Sequence, residues 1–314
     1  MPGALRRLAG LLATLLVVSL VIFVILDVLP GDPAAIMLGT SATPETLATL
    51  RHDMGLDLPA PIRYAHWLGG LFTGHLGTST TYGVPVAGLI GERLAVTLPL
   101  AFLAILLAVA LALPLGTLAG ARPRSLAGHA ETLISEIGIA VPNFWIGLLL
   151  ILFVSLHLGW LPAGGFPGWS AGLGPAFGAL LLPAVALAVP QAAVLMRVTR
   201  AAVADVGHQD FVRTAAAKGL GPATILRRHV LPNALIPIVT ILGLQVSFLI
   251  AGAILVENVF TLPGLGRLAW QALAQRDLAV IQAVVLVFAA MVLVVNWAVD
   301  ELYAVIDPRL RDRR

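Results

Sequence analysis

The sequence predicts an all-α polytopic membrane protein with six transmembrane helices. Three observations carry that prediction. Apolar residues make up 59% of the 314 positions and charged residues 11%, against roughly 45–50% and about 25% in soluble domains. Mean hydropathy is +0.97. The apolar residues gather in six long runs that do not alternate apolar with polar, as the strands of a membrane barrel would. A chain this poor in charge cannot coat a soluble globule, so disorder, collagen and an ordinary cytosolic enzyme are excluded. There is no Cys, which excludes disulfides and thiolate–metal sites.

A bilayer core about 30 Å thick takes about 20 apolar residues of helix. The runs are Leu8–Leu29, Leu94–Ala121, Leu133–Leu158, Ala179–Met196, Leu235–Val256 and Leu278–Ile306. The first follows Arg6-Arg7 like a signal peptide. Its apolar core is longer than the 7–15 residues typical of one and no small-x-small cleavage site follows, so it is expected to stay as a helix. The second, third and sixth are long enough to tilt or to extend beyond the lipid. The fourth is the weakest, being short and holding Pro183 and Pro190; Pro99, Pro114, Pro142 and Pro237 lie in other runs. Such residues are tolerated where neighbouring helices satisfy the freed backbone groups.

Positive charge sets the orientation. With the N-terminus inside, fourteen cations fall on inside segments: Arg6 and Arg7; Arg122 and Arg124; six between Arg197 and Arg228; and four in the tail after Ile306. Five fall outside: Arg51, Arg63, Arg93, Arg267 and Arg276. Both termini are therefore expected in the cytoplasm. The outside connection from Pro30 to Arg93 holds Tyr64, Trp67, Phe72 and Tyr82, and a loop so long is expected to be functional or partly folded.

The inside connection Arg197–Pro232 is the one long cytoplasmic loop. Asp210 can cap a helix that the Ala215–Lys218 run favours. Gly219 and Gly221 permit the left-handed backbone that ends it, and Pro222 suits the first turn of a second. Ile225, Leu226 and His229 would then share one face. Two readings stand: a compact knob, with Phe211 and surrounding arginines, that docks in a groove of another protein, or a solvated basic loop held by the charge bias.

At these residues the chain resembles the permease subunits of binding-protein-dependent, ATP-driven importers. Their cytoplasmic signature has the form E-A-A-x3-G-x9-I-x-L-P. Gly219 aligns with its glycine, Arg213-Thr214-Ala215 stand at E-A-A, His229 takes the Ile place, and Leu231-Pro232 close the motif. Arg in place of Glu is similar to the dipeptide, oligopeptide and nickel branch, which reads R-T-A-x-A-K-G. Leu29-Pro30-Gly31-Asp32-Pro33, Gly74-His75-Leu76-Gly77, Pro142-Asn143-Phe144-Trp145, Leu161-Pro162-Ala163-Gly164-Gly165, the run Phe260 to Gly266, and Asp307-Pro308-Arg309 resemble the same branch in order and spacing.

The resemblance implies the type I importer permease (MetI-like) fold. A core over residues 94–303 would follow a first helix and outer loop over 1–93, and a basic tail over 304–314 would end the chain. It also implies that Phe211, Arg213, Thr214, Ala215, Ala216, Ala217, Lys218, Gly219, Leu220 and Gly221 form the element that couples to the ATPase. The implied partners are two ATP-binding subunits, a second homologous permease (or a second copy of this chain) and an extracytoplasmic substrate-binding protein. The expected location is a bacterial or archaeal inner membrane, and neither a cofactor nor a nucleic-acid partner is expected.

Other polar residues are weighed against their cost, about 2.5–3.5 kcal/mol for a charge at a helix centre. Asp27, Asp300 and Glu301 lie near span ends. Glu136, a few residues inside the third run, either faces a water-filled pathway, paired with an arginine such as Arg197, or makes an interhelical or interfacial hydrogen bond. Glu257 either bonds loop backbone or faces the outer mouth. Gln245 and Asn296 fit helix–helix hydrogen bonds, worth about 0.6 kcal/mol on average, and Gly116-x-x-x-Gly120 fits close helix packing. The seven histidines form no H-E-x-x-H pair, and G-x-S-x-G and P-loop patterns are missing. The chain is thus expected to be neither an enzyme nor a metal protein, with ATP hydrolysis on a partner. An ion-gradient-driven secondary transporter is the alternative; the scarcity of mid-membrane acids counts against it.

Overall fold

The computed structural model describes residues 2–28 and 32–306. Leu29-Pro30-Gly31, Asp307-Pro308-Arg309 and the rest of the basic tail lie outside the described residues. Everything described is helix, turn or irregular chain apart from one isolated antiparallel bridge, Thr78 to Pro85.

The first long helix is α1 (Pro2–Val28). The connection after it is folded. Asp32 caps α2 (Pro33–Leu38), accepting from Ala34 N at 3.0 Å. Thr43 and Thr46 cap α3 (Pro44–Asp53) reciprocally, each hydroxyl accepting from the other's backbone N–H. Pro59 precedes α4 (Ala60–Phe72). Then come α5 (Val86–Ala121), α6 (Leu126–Ala140), α7 (Asn143–Leu150), which runs on as a π-helical segment Ile151–His157, and α8 (Leu173–Gly207). Two short helices follow, α9 (Asp210–Ala217) and α10 (Pro222–Ile225), then α11 (Leu231–Val259), α12 (Leu265–Gln275) and α13 (Leu278–Ile306).

Among the described residues, five helices are long and apolar enough to cross a membrane, and six if α6 and α7 count as one broken span. The third run departs from the expectation of one continuous span: α6 and α7 meet at 98°. Val141 and Pro142 are extended there (ψ 123° and 140°), as a residue before proline prefers. Asn143 fixes the restart. Its Oδ1 accepts from Phe144 N at 2.8 Å, and its amide lies so close to Gly252 of α11 that a Cβ at 252 would be 2.4 Å from Nδ2. The fourth run, read as the weakest, belongs to a 35-residue helix that keeps Pro183 and Pro190 inside it.

The chain divides into two compact units. One comprises the described residues up to Thr97 together with Pro263–Leu293. Phe23 of α1 meets Tyr64 and Trp67 of α4, with ring centroids 5.3 and 6.5 Å away. Val86 and Ile90 of α5 pack with Leu265, Leu268 and Ala272 of α12 and with Val280 and Val284 of α13. Asp277 heads α13 fully buried, accepting from Ser79 Oγ at 2.5 Å, Thr81 N at 3.1 Å and Val280 N at 3.3 Å.

The other unit comprises Leu98–Leu262 and the described chain from Val294. Here α8 packs against α6, α7 and α11, and small residues set the separation. A Cβ at Gly116 would sit 2.6 Å from Met196 O, one at Gly120 2.6 Å from Arg200 O, and one at Gly138 2.7 Å from Ala193 Cβ. The expected role of Gly116-x-x-x-Gly120 in packing is thus realised against α8. At the far end of α8 from α9, Gly165 N donates to Phe260 O at 2.8 Å, and a Cβ at Gly147 would press on the Phe260 ring at 3.0 Å. Phe260 is fully buried. Glu131 of α6, 4% exposed, accepts from Arg200 Nη1 of α8 at 2.8 Å, and the same nitrogen reaches Thr132 Oγ1.

Two outcomes follow from this packing. Gly116→Leu forces backbone apart and is expected to cost about 1–3 kcal/mol, read as a lower melting temperature in detergent, whereas Gly88→Ala, with nothing within 4 Å of its Cβ, leaves melting unchanged or raised. Arg200→Met leaves the Glu131 carboxylate buried without its cation, a loss of about 3–5 kcal/mol; the double variant Glu131→Leu/Arg200→Met is expected to recover most of it, checked by the same melting curve.

Candidate coupling site

The loop between α8 and α11 carries the residues that the sequence singled out. α9 is held from beneath. Val212, Ile225, Leu226 and Leu231 pack against a buried cluster drawn from α5 (Ala112), α8 (Leu195, Met196, Ala202, Val203, Val206), the turn before α11 (Val230) and α11 (Ala234, Ile238). Ala215 is buried. The rest of the element faces away from the unit: Phe211 is 40% exposed, and Arg213, Thr214, Ala216, Ala217, Lys218, Gly219, Leu220 and Gly221 are exposed as well. An apolar underside thus fixes the knob to three helices while its outer surface stays bare.

The end of α9 has a specific geometry. Gly219 is left-handed (φ 82°). Its N–H donates to Ala216 O at 2.9 Å, and Leu220 N donates to Ala215 O at 3.3 Å. This is the paired termination in which a left-handed residue lets two successive N–H groups turn back on the last carbonyls. A Cβ at Gly219 would meet nothing within 4 Å, so backbone conformation, and not space, requires glycine there.

Three local expectations are corrected. Asp210 is the first helical residue and not the cap; Gln209 is the cap, extended and without a side-chain bond. Asp210 instead lies at the positive end of the helix, favourable for a carboxylate, and faces Arg213 at 3.6 Å. Gly221 has φ −67° and does not use glycine's freedom. The second short helix is not separate. Pro222 starts α10 as expected, but the chain continues through a π-helical segment, Leu226–Val230, into α11. Pro232, near the start of α11, has no N–H to offer the Arg228 carbonyl, and the wider turn absorbs that misfit. Consequently Ile225 and Leu226 face the core while His229 is half-buried, its carbonyl accepting from Asn233 Nδ2 at 2.7 Å; Leu231 is half-buried and Pro232 exposed.

The remaining polar candidates do not converge. Glu136 is exposed on α6, and Arg197 is not its ion-pair partner; the paired acid on α6 is Glu131. Gln245 is 8% exposed and, with Gln191, lines a small cavity among α5, α8 and α11; Gln191 Oε1 is buried without a partner. Glu257 is fully buried near the far end of α11, its backbone carbonyl accepting from Leu262 N at 2.8 Å. Asn296 is exposed on α13. Glu131 and Arg200 were not singled out by the sequence. The signal was the spacing Gly128, Glu131, Ser135, Gly138, which makes one small and polar stripe and is the buried face of α6. Among the described residues no group of histidines and acids could hold a metal ion.

Known proteins match this chain along nearly its whole length. Residues 112–312 match the model of the binding-protein-dependent transport system inner membrane component, and residues 3–101 match that of the N-terminal region of such membrane components. A probable peptide ABC transporter permease of Sinorhizobium fredii, y4tP, is 39% identical over 307 residues, covering 98% of each chain. The oligopeptide transport system permease AppB of Bacillus subtilis is 39% identical over 308 residues, covering 97% of this chain and 98% of the relative. The glutathione transport system permease GsiC of Salmonella choleraesuis is 38% identical over 307 residues, covering 98% of each. Among solved structures, the inward-facing MetNI methionine ABC transporter superimposes with a TM-score of 0.58 at 20% identity, covering 70% of this chain and 96% of that one. An amino acid ABC transporter gives 0.51 at 21% identity, covering 68% and 92%. The helical fold, the membrane spans and a match along nearly the whole length agree: the chain belongs to the binding-protein-dependent inner-membrane permeases of ABC importers.

Proposed function

We propose that this chain forms half of the translocation pathway of an ATP-driven peptide importer and that α9 is where force from the ATPase enters it. The peptide class rests on relatives of equal length named for peptides, oligopeptides and glutathione. The coupling role rests on one observation above the others: α9 is a short helix with an exposed outer surface, and the loop that carries it packs, through Val212, Ile225 and Leu226, against a buried cluster built from α5, α8 and α11. A partner gripping it moves the ends of three spans together.

In this reading the α9 end faces the cytoplasm, in keeping with the cations between Arg197 and Arg228. Two ATP-binding subunits close on ATP and carry α9 with them. A sister permease, homologous or identical, completes the pathway, and an extracytoplasmic binding protein delivers the solute on the opposite side. Accumulation against a thousandfold gradient needs about 4 kcal/mol per solute, and nothing in this chain's sequence motifs supplies it. Glu136 and Asn296, exposed on α6 and α13, are assigned to the pathway or to the sister-subunit interface. Glu257 and Gln245 are assigned to helix packing.

The test uses Gly219. In Gly219→Val the left-handed turn costs at least about 1–2 kcal/mol, more for a β-branched residue, and the end of α9 is remodelled. Peptide uptake and receptor-stimulated ATP hydrolysis by the assembled transporter are expected to fall about tenfold or further, with membrane insertion and subunit yield intact. Wild-type uptake in that variant would contradict the coupling role.

A further inference from the structure

The unit that contains α1 has a half-open cavity of about 870 Å³ that the transport reading does not use. Pockets of about 300–1,000 Å³ are the size that buries a small organic ligand. One wall is apolar and membrane-borne: Phe23 and Leu26 come from the last turns of α1, Leu278 and Ala279 from the first turn of α13. On α1 the adjacent residues Val21, Val24 and Ile25 are about half exposed (50%, 48% and 57%), so this wall runs on into surface that bilayer chains must cover.

The rest of the lining is charged and balanced. Arg51, Arg63 and Arg276 line it with Asp27, Asp32 and Asp57. Arg51 pairs with Asp32 at 2.5 Å and Arg63 with Asp27, and all four side chains stay between about a fifth and a half exposed. Asp57 lies 3.7 Å from His52. A ligand of one sign would meet repulsion as well as attraction here, whereas one carrying both signs side by side can add to each pair. The Arg63 guanidinium stands 5.9 Å over the Phe23 ring, so this cation bridges the charged and the apolar lining.

We propose that this cavity binds the headgroup of a zwitterionic phospholipid from the adjoining leaflet. Its phosphodiester lies against the arginines. Its ammonium faces the aspartates, and its acyl chains leave along α1 and α13. The membrane-borne wall selects an amphiphile over a soluble zwitterion such as a peptide. The lipid would hold α4 and the loop helices at a fixed height on the bilayer. The inference rests on α1 and α13 spanning a membrane, not on what the transporter carries.

The test is lipid retention. The assembled transporter is purified from membranes, washed extensively in detergent, and its bound phospholipid extracted and quantified by mass spectrometry. The wild type is expected to keep about one phosphatidylethanolamine or other zwitterionic phospholipid per copy of this chain. Two variants fill the cavity from different helices, Leu26→Trp on α1 and Gln282→Trp on α13, both lining residues; each is expected to lose at least about fivefold of that lipid. Subunit yield and size-exclusion profile check folding, and one folded variant suffices. A wild type that keeps no phospholipid, one that keeps only anionic phospholipid, folded variants that keep as much as the wild type, or labelling of Trp67 by a photoreactive peptide in place of a photoreactive phospholipid would overturn the proposal.

Discussion

The close approach of α8 to its neighbours is the constraint from which the rest of the larger unit follows. Hydrocarbon offers no hydrophobic drive between helices, so membrane helices are held by contact, by hydrogen bonds and by small residues that let backbones meet. Gly116 and Gly120 admit the carbonyls of Met196 and Arg200, and Gly138 admits Ala193. Because α8 is gripped on these sides and ends three residues before α9, the coupling proposed for α9 has a packed helix beside it to act on.

The Glu131–Arg200 pair fits the same picture. An ion pair between α6 and α8 with one carboxylate oxygen left unpartnered is a poor source of stability, since burying two charges costs much of what their attraction returns. It does fix the rotation of α6 on α8. The 98° break at Val141-Pro142 then hands the path from α6 to α7, whose Gly147 bears on Phe260 at the other end of the unit. Residues scattered in sequence, Gly147, Gly164 and Phe260, are neighbours there.

Much of this was legible in the sequence because hydropathy reports directly on the solvent. The positions of the spans and the end of α9 at Gly219 follow from residue types alone. What escaped depended on partners distant in sequence. Pro142 breaks a span while Pro99, Pro114, Pro183, Pro190 and Pro237 remain inside helices; proline chemistry is the same at all six, and the difference is Asn143 locked beside Gly252. Glu131 looked like a residue ahead of a span because the apolar run begins at Leu133, whereas Ser125 caps the helix and starts it earlier, its Oγ accepting from Gly128 N at 3.3 Å. The merger of the second loop helix with α11 was hidden because a π turn leaves little trace in residue pattern.

ATP-driven transport through this chain, as proposed, requires that a nucleotide hydrolase grip α9. The chain has no Cys, so a single cysteine placed at the exposed Ala216 is a unique handle. With an ATPase subunit carrying one cysteine in its permease-facing groove, oxidation in membranes is expected to give a disulfide-linked pair and to stop uptake until a reductant restores it. Failure of the Ala216 cysteine to capture the ATPase from any position in that groove, in membranes that accumulate solute at the normal rate, would contradict it.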